Sequence, residues 1–269
     1  MPLVIAAAVI YMLCLGLPVS IVEQITGLWS FYERVTEEFA SFLTNNPTSY
    51  EIYEWMLPYS TSGQGGFSIA TYIFLLLIPG PLTLGISTVW LRVLRGHKTY
   101  ADMVFSGFGN FARAILLYVI RTVFIILWSI LLIIPGVVAY YRYSLMFFLL
   151  ADDPSISPAI AMILSKHYMQ QNKGGRFLLD LSFIGWFILA VMVIFLLSNV
   201  VFAIIGSMGL TPSFFVDQLV LGIIGAVVLA PLSAYHGVAA AEYYHRVTCQ
   251  NPGAFRDQLQ IPNTKKLPD

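Results

Sequence analysis

Long apolar segments recur along the whole chain and limit its fold more than any other feature. Of its 269 residues, 58% are hydrophobic and only 10% are charged, whereas soluble domains carry about 25% charged residues. A helix that crosses a bilayer needs about 20 mainly apolar residues. The sequence therefore predicts an all-α integral membrane protein, a six-helix transmembrane bundle with interfacial amphipathic helices. The six predicted spans are 3–22, 67–91, 114–134, 136–150, 177–205 and 215–241.

The distribution of charge assigns the two sides of this bundle. Loop 23–66 holds six glutamates and a single cation, Arg34, whereas the basic residues lie in loops 92–113 and 151–176 and after residue 245. Lys and Arg collect in short cytoplasmic loops. Six crossings with both termini in the cytoplasm put every basic cluster inside, whereas five crossings would leave one of them outside. The fourth span is short and carries Arg142, so a re-entrant leg stays an alternative there.

The polar segments are too short to fold separately, so we expect one membrane domain over residues 1–250 and a cytoplasmic tail over 251–269. The first span lacks the basic leader and cleavage site of a secretory signal peptide, and we expect it to remain as a helix. Within the outer loop 23–66, apolar residues at helical spacing predict one or two interfacial helices. These helices would form either a cap or a lid. The apolar positions are Leu28, Phe31, Tyr32, Val35, Phe39 and Phe42.

A second amphipathic helix is predicted on the cytoplasmic side, over residues 155–171. Asp153-Pro154 and Ser157-Pro158 each place a capping side chain before a proline, which is a helix-start signal. We expect Asn172 and Gly174-Gly175 to end the helix, and its apolar face to lie along the inner leaflet. That face would hold Ile156, Ala159, Ile160, Ile163, Leu164, His167 and Tyr168.

Several ionisable side chains fall inside the predicted spans, where a charge costs roughly 2.5–3.5 kcal/mol at the bilayer centre and normally faces the bundle interior. For Arg121 we expect a carboxylate partner such as Asp180 or Glu242, whereas Arg142 is close enough to the inner boundary to snorkel. The residues could be ion pairs that fix the bundle, or a site for an anion or a lipid headgroup. The candidate binding residues are Arg121, Arg142, Asp180, Glu242 and His236.

The spacing of residues in the last helix limits the kinds of site that it can form. Glu242 and Arg246 are four residues apart and predict a pair on one helix face. We expect no metal site, because His236 and His245 point in nearly opposite directions. Small residues on one stripe allow close helix packing, either within the chain or between copies in an oligomer. The stripe consists of Ala230, Ser233, Gly237 and Ala241.

Signatures of catalysis and of cofactor binding are absent from the sequence. It has no P-loop, nucleophile elbow, HExxH or paired-carboxylate motif. Cys14 and Cys249 lack the spacing of metal ligands, and we expect them to be small packing residues. No cofactor is expected, and the net charge of zero gives no reason to expect a nucleic-acid partner.

The stretch 134–186 carries a specific pattern at the polar corner between two apolar segments, from IPG through YRYS, ADDPSISP and AIAMILSKHYMQQNK to RFLLDLSFIGW. This pattern resembles the bacterial membrane family called domain of unknown function 975. More distantly, it is similar to the membrane domain fused to some glycerophosphodiester phosphodiesterases. The resemblance implies a six-helix fold in the bacterial cytoplasmic membrane and supplies no reaction. The pattern positions include Pro135, Gly136, Tyr143, Asp152, Ser165, Lys166, Asn172, Lys173, Asp180, Ser182, Gly185 and Trp186.

Three functional classes fit these features. The leading hypothesis is a non-enzymatic membrane protein that binds or moves an amphipathic ligand, a lipid or a hydrophobic peptide, through a cavity among the candidate binding residues. The second is an accessory, immunity or regulatory protein that binds a membrane protein and has a purely structural interior. The third is a membrane-embedded enzyme that acts on lipid. Membrane lipids are expected partners in every case.

Overall fold

A computed structural model of the protein describes residues 2–25, 48, 51, 73–209 and 214–250, and within these ranges the chain is helical and has no strand. A 3-10 segment, Ala101–Asn110, separates the second helix from the third. The α-helices are α1 (Pro2–Ile25), α2 (Pro79–Leu94), α3 (Phe111–Leu131), α4 (Ile133–Arg142), α5 (Met146–Asp152), α6 (Pro158–Tyr168), α7 (Lys173–Ser207) and α8 (Phe214–Gln250).

Five helical stretches of the described chain are long and apolar enough to cross a membrane. The first predicted span lies in α1, which qualifies only as a shorter apolar helix over Pro2–Gly16. The chain is therefore an all-α, multi-pass membrane protein, as predicted, and the number of crossings stays a prediction. The five stretches are Ile73–Leu94, Ala101–Leu131, Ile133–Asp152, Lys173–Ser207 and Leu219–Cys249.

Helix α2 lies at the centre of the bundle and packs against α1, the 3-10 segment, α3, α5 and α8. By contrast, α7 packs mainly on α8 and exposes most of its apolar side chains. The interior is filled by large apolar residues with almost no accessible surface. They include Leu82, Leu117, Leu145, Met146, Leu150 and Leu164.

The break between the third and fourth apolar helices lies earlier than predicted. The backbone is extended at Leu132, and α4 already begins at Ile133, whereas the predicted spans 114–134 and 136–150 placed the break at residue 135. Proline is tolerated in a first helical turn, because the amides there have no partner within the helix. Gly136 is needed for close packing, since a Cβ at this position would lie 2.2 Å from Ser129 Oγ on α3.

A second break, between α4 and α5, is closed by a serine from α6. The Ser165 hydroxyl donates to the Arg142 carbonyl at 2.9 Å and accepts from the Leu145 amide at 3.3 Å. The serine is fully buried. Helix breaks leave backbone groups without hydrogen-bond partners inside the helix. The Ser165 hydroxyl therefore provides a partner for one carbonyl and one amide at this break.

Replacing Ser165 with alanine is therefore expected to lower the free energy of unfolding by about 1–3 kcal/mol, since two buried backbone groups lose their partner. Thermal unfolding in detergent would measure the change. Ser207→Ala is the matched control, because the exposed Ser207 hydroxyl only bonds the Ile204 carbonyl in its own helix. Equal melting temperatures for the two variants would contradict this role of Ser165.

The predicted amphipathic helix exists as α6, but two of its details are wrong. Ser157 is its N-cap, as expected, and accepts from the Ile160 amide at 3.3 Å. The buried face is rotated from the predicted one, because Ser165 must face the break between α4 and α5. The helix also ends at Tyr168, and Gly174-Gly175 lies inside the first turn of α7. The face actually buried consists of Pro158, Ala161, Leu164, Ser165 and Tyr168.

Most of the acidic outer loop and the whole of the tail 251–269 lie outside the described residues. Thr48 and Glu51 are described, and they cap each other reciprocally. The Thr48 amide and hydroxyl both donate to Glu51 Oε2 at 2.7 Å, while the Glu51 amide donates to the Thr48 hydroxyl at 3.4 Å. This is a capping box, which marks the start of a helix. The two Thr48 donors lower the pKa of the exposed Glu51 carboxyl.

Candidate functional site

A half-buried polar cluster joins α7 to α8, and Asp180 is its centre. His236 Nε2 lies 2.8 Å from Asp180 Oδ1, and Arg176 Nη2 lies 3.3 Å from the same oxygen. The Tyr141 hydroxyl on α4 also interacts with this carboxylate. Two of the predicted binding residues, Asp180 and His236, thus meet across 56 positions of sequence. We call these four residues the Asp180 cluster.

Arg176 has more hydrogen-bonding capacity than the cluster uses. Its side chain is only 9% exposed, yet Nε and Nη1 are buried and have no hydrogen-bond partner among the described residues. Buried donors without partners are costly. The guanidinium therefore has donors in excess of its bond to Asp180, and an additional acceptor reaches them only when neighbouring side chains move.

An apolar groove runs between α7 and α8 beside this cluster, with a volume of about 750 Å³. Phe183 lies between the two features, because it lines the groove and its ring centroid is 5.0 Å from that of His236. Trp186 and Tyr235 are both exposed at the surface of the groove. The lining residues are Ser182, Phe183, Trp186, Leu189, Ala190, Val193, Val228, Pro231, Leu232, Tyr235 and Ala239.

The remaining candidate residues do not join the Asp180 cluster. Arg121 does not form the expected pair with Asp180 or Glu242. Its Cζ instead lies 5.3 Å from the centroid of the Tyr140 ring and 5.9 Å from that of Phe147. Cations are attracted to the faces of aromatic rings, so these rings partly replace the missing carboxylate.

Glu242 and Arg142 have local roles. Arg246 Nε donates to Glu242 Oε1 at 2.7 Å, which confirms the predicted pair on one helix. Arg142 is half-buried, and no carboxylate of the described chain forms a salt bridge with it. Its backbone carbonyl accepts the Ser165 hydroxyl at the helix break.

A second polar network holds the ends of three helices together. Arg95, which follows α2, pairs with Asp152 at 2.5 Å, and the Tyr244 hydroxyl of α8 donates to the other Asp152 oxygen at 2.8 Å. Phe148 stacks on the Tyr244 ring with centroids 5.7 Å apart. Asp152 thus acts as a structural anchor among α2, α5 and α8.

Contacts within the chain account for the other features of the last helix. Ala230 and Ala241 are fully buried, and a Cβ at Gly237 would lie 2.3 Å from Trp90 Cε2 on α2. The small-residue stripe therefore packs inside the chain. Cys249 is exposed, whereas we expected it to be a packing residue. Within the part of the chain that the structure describes, no three His, Cys, Asp or Glu side chains are grouped to hold a metal.

Arg176 was not predicted as a site residue, and Asp152 was predicted only as part of the family pattern. Arg176 precedes Asp180 by four residues, and this spacing places both side chains on one face of a helix. This spacing could have identified Arg176 from the sequence. The Tyr141 contact and the link from Asp152 to Tyr244 join residues distant in sequence, and no local spacing indicates either of them.

Comparison with known proteins finds one family model that covers the site. Residues 130–251 match the family model described as Protein of unknown function (DUF975), and this range contains the groove, the Asp180 cluster and Asp152. No curated protein and no solved structure matches the chain. The similarity to glycerophosphodiester phosphodiesterase membrane domains stays an expectation. From the turn between α3 and α4 through α8, the chain is therefore similar to the DUF975 family of proteins of unknown function.

Proposed function

We propose that this membrane protein binds an amphipathic lipid in the groove between α7 and α8. The apolar tail would lie along the groove, and the polar head would reach the Asp180 cluster. The observation that carries the proposal is a largely apolar groove whose lining residue Phe183 contacts His236 of the Asp180 cluster, which also holds an arginine with two unused donor nitrogens.

The size and exposure of the groove support a lipid. Ligand sites usually occupy about 300–1,000 Å³ and combine an apolar lining with a few polar groups, and the groove volume is about 750 Å³. Its exposed aromatic residues, Trp186 and Tyr235, face outward from the bundle, where acyl chains surround a membrane protein. A lipid could therefore enter sideways from the bilayer. A hydrophobic peptide fits less well, because the described groove offers few polar partners for a peptide backbone.

The chemistry of the head follows from Arg176. A guanidinium with two unpaired donor nitrogens binds oxyanions, preferably a phosphate or carboxylate. The ligand class is therefore an anionic lipid. This site replaces the bundle cavity expected from the sequence, because Arg121 packs against aromatic rings in a filled interior. We further propose that both termini and the basic loops are cytoplasmic, as the charge distribution predicts.

Native mass spectrometry of protein released in a mild detergent tests the groove. Ser182→Trp places an indole at the exposed wall of the groove, whereas Ile188→Trp makes a comparable addition at an exposed position of α7 that does not line it. We expect wild type and Ile188→Trp to retain a lipid, and Ser182→Trp to retain at least about tenfold less, because the added ring occupies the space. A bare wild-type mass, or equal adducts in both variants, would refute the proposal.

The same measurement tests binding of the polar head separately from binding of the apolar tail. With phosphatidylglycerol and phosphatidylcholine supplied together, Arg176→Gln should lose the preference for the anionic lipid, because it removes the cation of the site. Arg246→Gln is the control, since Arg246 lies in an exposed pair on α8. If both substitutions leave the preference unchanged, the head does not bind at Arg176.

The alternative function is that of an accessory or regulatory protein whose buried charges are only structural. The Asp152 network favours it, since this network ties three helices together without any groove residue. A bare wild-type mass would shift the interpretation to this alternative.

A further inference from the structure

The turn between α3 and α4 exposes an uninterrupted apolar surface. The five residues 130–134, which we call the hairpin tip, are each 66% to 81% exposed. From Ile130 through Ala139 the sequence has no polar side chain. A turn that emerged into water would expose all of these side chains to solvent, which is unfavourable at about 25 cal/mol per Å² of apolar surface.

The backbone of the hairpin tip is suited to a medium without water. The Leu132 amide donates to the Trp128 carbonyl at 3.2 Å, and the Gly136 amide donates to the Leu132 carbonyl at 3.3 Å. Pro135 has no amide to satisfy. Polar backbone groups inside a bilayer must find hydrogen-bond partners within the protein itself. These features reduce the number of backbone groups without a partner at the turn.

The length of α4 limits how high the hairpin tip can stand. Helix α4 has ten residues and rises about 15 Å. Its lower end is level with the start of the apolar part of α7, because the rings of Tyr141 and Phe177 meet edge to face with centroids 5.8 Å apart. A rise of about 15 Å along α7 ends near Phe187. The tip therefore reaches no higher than this level.

Helix α7 continues far beyond that level. It has 35 residues in total, and the part above Phe187 is about 30 Å long. If the hairpin tip lay at the far surface of the membrane, this part would stand in water although its exposed side chains are apolar. A hydrocarbon core of about 30 Å centred on the level of the tip instead covers the hairpin and about 15 Å of the upper part of α7. The exposed residues of the upper part include Val191, Met192, Phe195, Leu196, Val200 and Ile204.

We propose that α3 and α4 form a re-entrant hairpin, whose tip contacts acyl chains near the middle of the bilayer. The hairpin enters from the side of the basic loops and returns to it, so the membrane is crossed four times, by α1, the helix 73–94, α7 and α8. A hairpin contributes two crossings or none, so loops 92–113 and 151–176 stay on the same side in both cases. Charge distribution is therefore unable to distinguish the two topologies. The level of the hairpin tip relative to the far end of α7 distinguishes them.

The same topology places the charged residues of the spans at a favourable depth. Arg121 lies over the ring of Tyr140 at the lower end of α4, and Arg142 ends that helix. Both are therefore about 15 Å below the hairpin tip. With the tip at the middle of the bilayer, both guanidinium groups lie near the boundary of the hydrocarbon core, where long cationic side chains are tolerated.

Site-directed spin labelling in proteoliposomes tests this topology. The only two cysteines of the chain, Cys14 and Cys249, are first replaced by serine. A nitroxide is then attached to Leu132→Cys, with Ile130→Cys as a second tip position, and its depth is read from collisions with oxygen and with a water-soluble nickel complex. Met208→Cys, in the turn after α7, and Tyr100→Cys, in a basic loop, are exposed controls.

We expect both tip labels to report a depth near the bilayer centre, and both tip cysteines to resist a membrane-impermeant maleimide from either side. The two control cysteines should react from opposite sides. A tip label at headgroup depth, or a tip cysteine that reacts from the same side as Met208→Cys, would overturn the proposal. The result does not depend on a ligand in the groove, so this proposal and the proposed function can fail separately.

Discussion

Gly107→Ala is expected to destabilise the protein by about 3 kcal/mol or more, whereas Gly109→Ala should leave its stability almost unchanged. A Cβ at Gly107 would lie 2.0 Å from the Pro81 carbonyl oxygen of α2, but a Cβ at Gly109 would meet nothing within 4 Å. Both glycines lie in the 3-10 segment. Overpacking usually costs about 1–3 kcal/mol of stability. A Cβ that clashes with a backbone oxygen costs an amount at the upper end of this range, because neither group can move away by a side-chain rotation.

Thermal unfolding in detergent, followed by loss of monodisperse protein, would measure this difference. Gly85→Ala provides a second test from the other side of the contact, because its Cβ would lie 1.8 Å from the Val104 carbonyl oxygen. We expect it to behave like Gly107→Ala. If Gly107→Ala and Gly109→Ala melt at the same temperature, α2 and the 3-10 segment do not pack as described.

The second large effect is expected from Asp180→Ala, which should cost about 3–5 kcal/mol of unfolding free energy. Removing one partner of a buried ion pair leaves the other charge uncompensated. Arg176 would lose its only ion pair among the described residues while its side chain stays 9% exposed, and His236 would lose its hydrogen bond as well.

Glu242→Ala is the matched control, because Glu242 also pairs with an arginine four residues away on one helix. That pair is exposed, with side-chain exposures of 70% for Arg246 and 39% for Glu242, and exposed pairs contribute about 0–1 kcal/mol. The double variant Arg176→Met/Asp180→Leu should recover most of the loss, since no charge is left unpaired. A cost below 1 kcal/mol for Asp180→Ala would mean that the cluster is not a buried ion pair.

The features that the sequence predicted correctly depend on local rules. The N-cap of α6 at Ser157 follows from a serine before a proline, and the pair of Glu242 with Arg246 follows from helical spacing. The membrane class follows from apolar length alone. Each rule involves residues close in sequence, whose relative positions are fixed once the helix is identified.

The features that failed depend on contacts between helices. Arg121 was assigned a carboxylate partner because an intramembrane charge needs compensation, but nothing in the sequence indicates that two aromatic rings face it. The face of α6 was misplaced because the partner of Ser165 is a break in another helix. Asp180 and His236 were each identified as unusual, and only the fold brings them together.

Close backbone contacts were also beyond the reach of sequence analysis. Gly85 and Gly107 resemble any other glycines in an apolar chain, yet they let α2 and the 3-10 segment touch. The segment itself lies in what the sequence suggested was only a basic loop. Its packing explains why the loop between two helices forms part of the buried core, where Val104 is fully buried.

Photo-crosslinking in the native membrane tests the central claim, a lipid bound between α7 and α8, most directly. Phosphatidylglycerol with a photoactivatable acyl chain is incorporated into membranes that contain the full chain, and the crosslinked peptides are identified by mass spectrometry. Binding in the groove predicts adducts concentrated on groove residues such as Trp186, Leu189 and Tyr235, and their loss in Ser182→Trp. Adducts spread evenly over the exposed residues of α7 would contradict a specific lipid site.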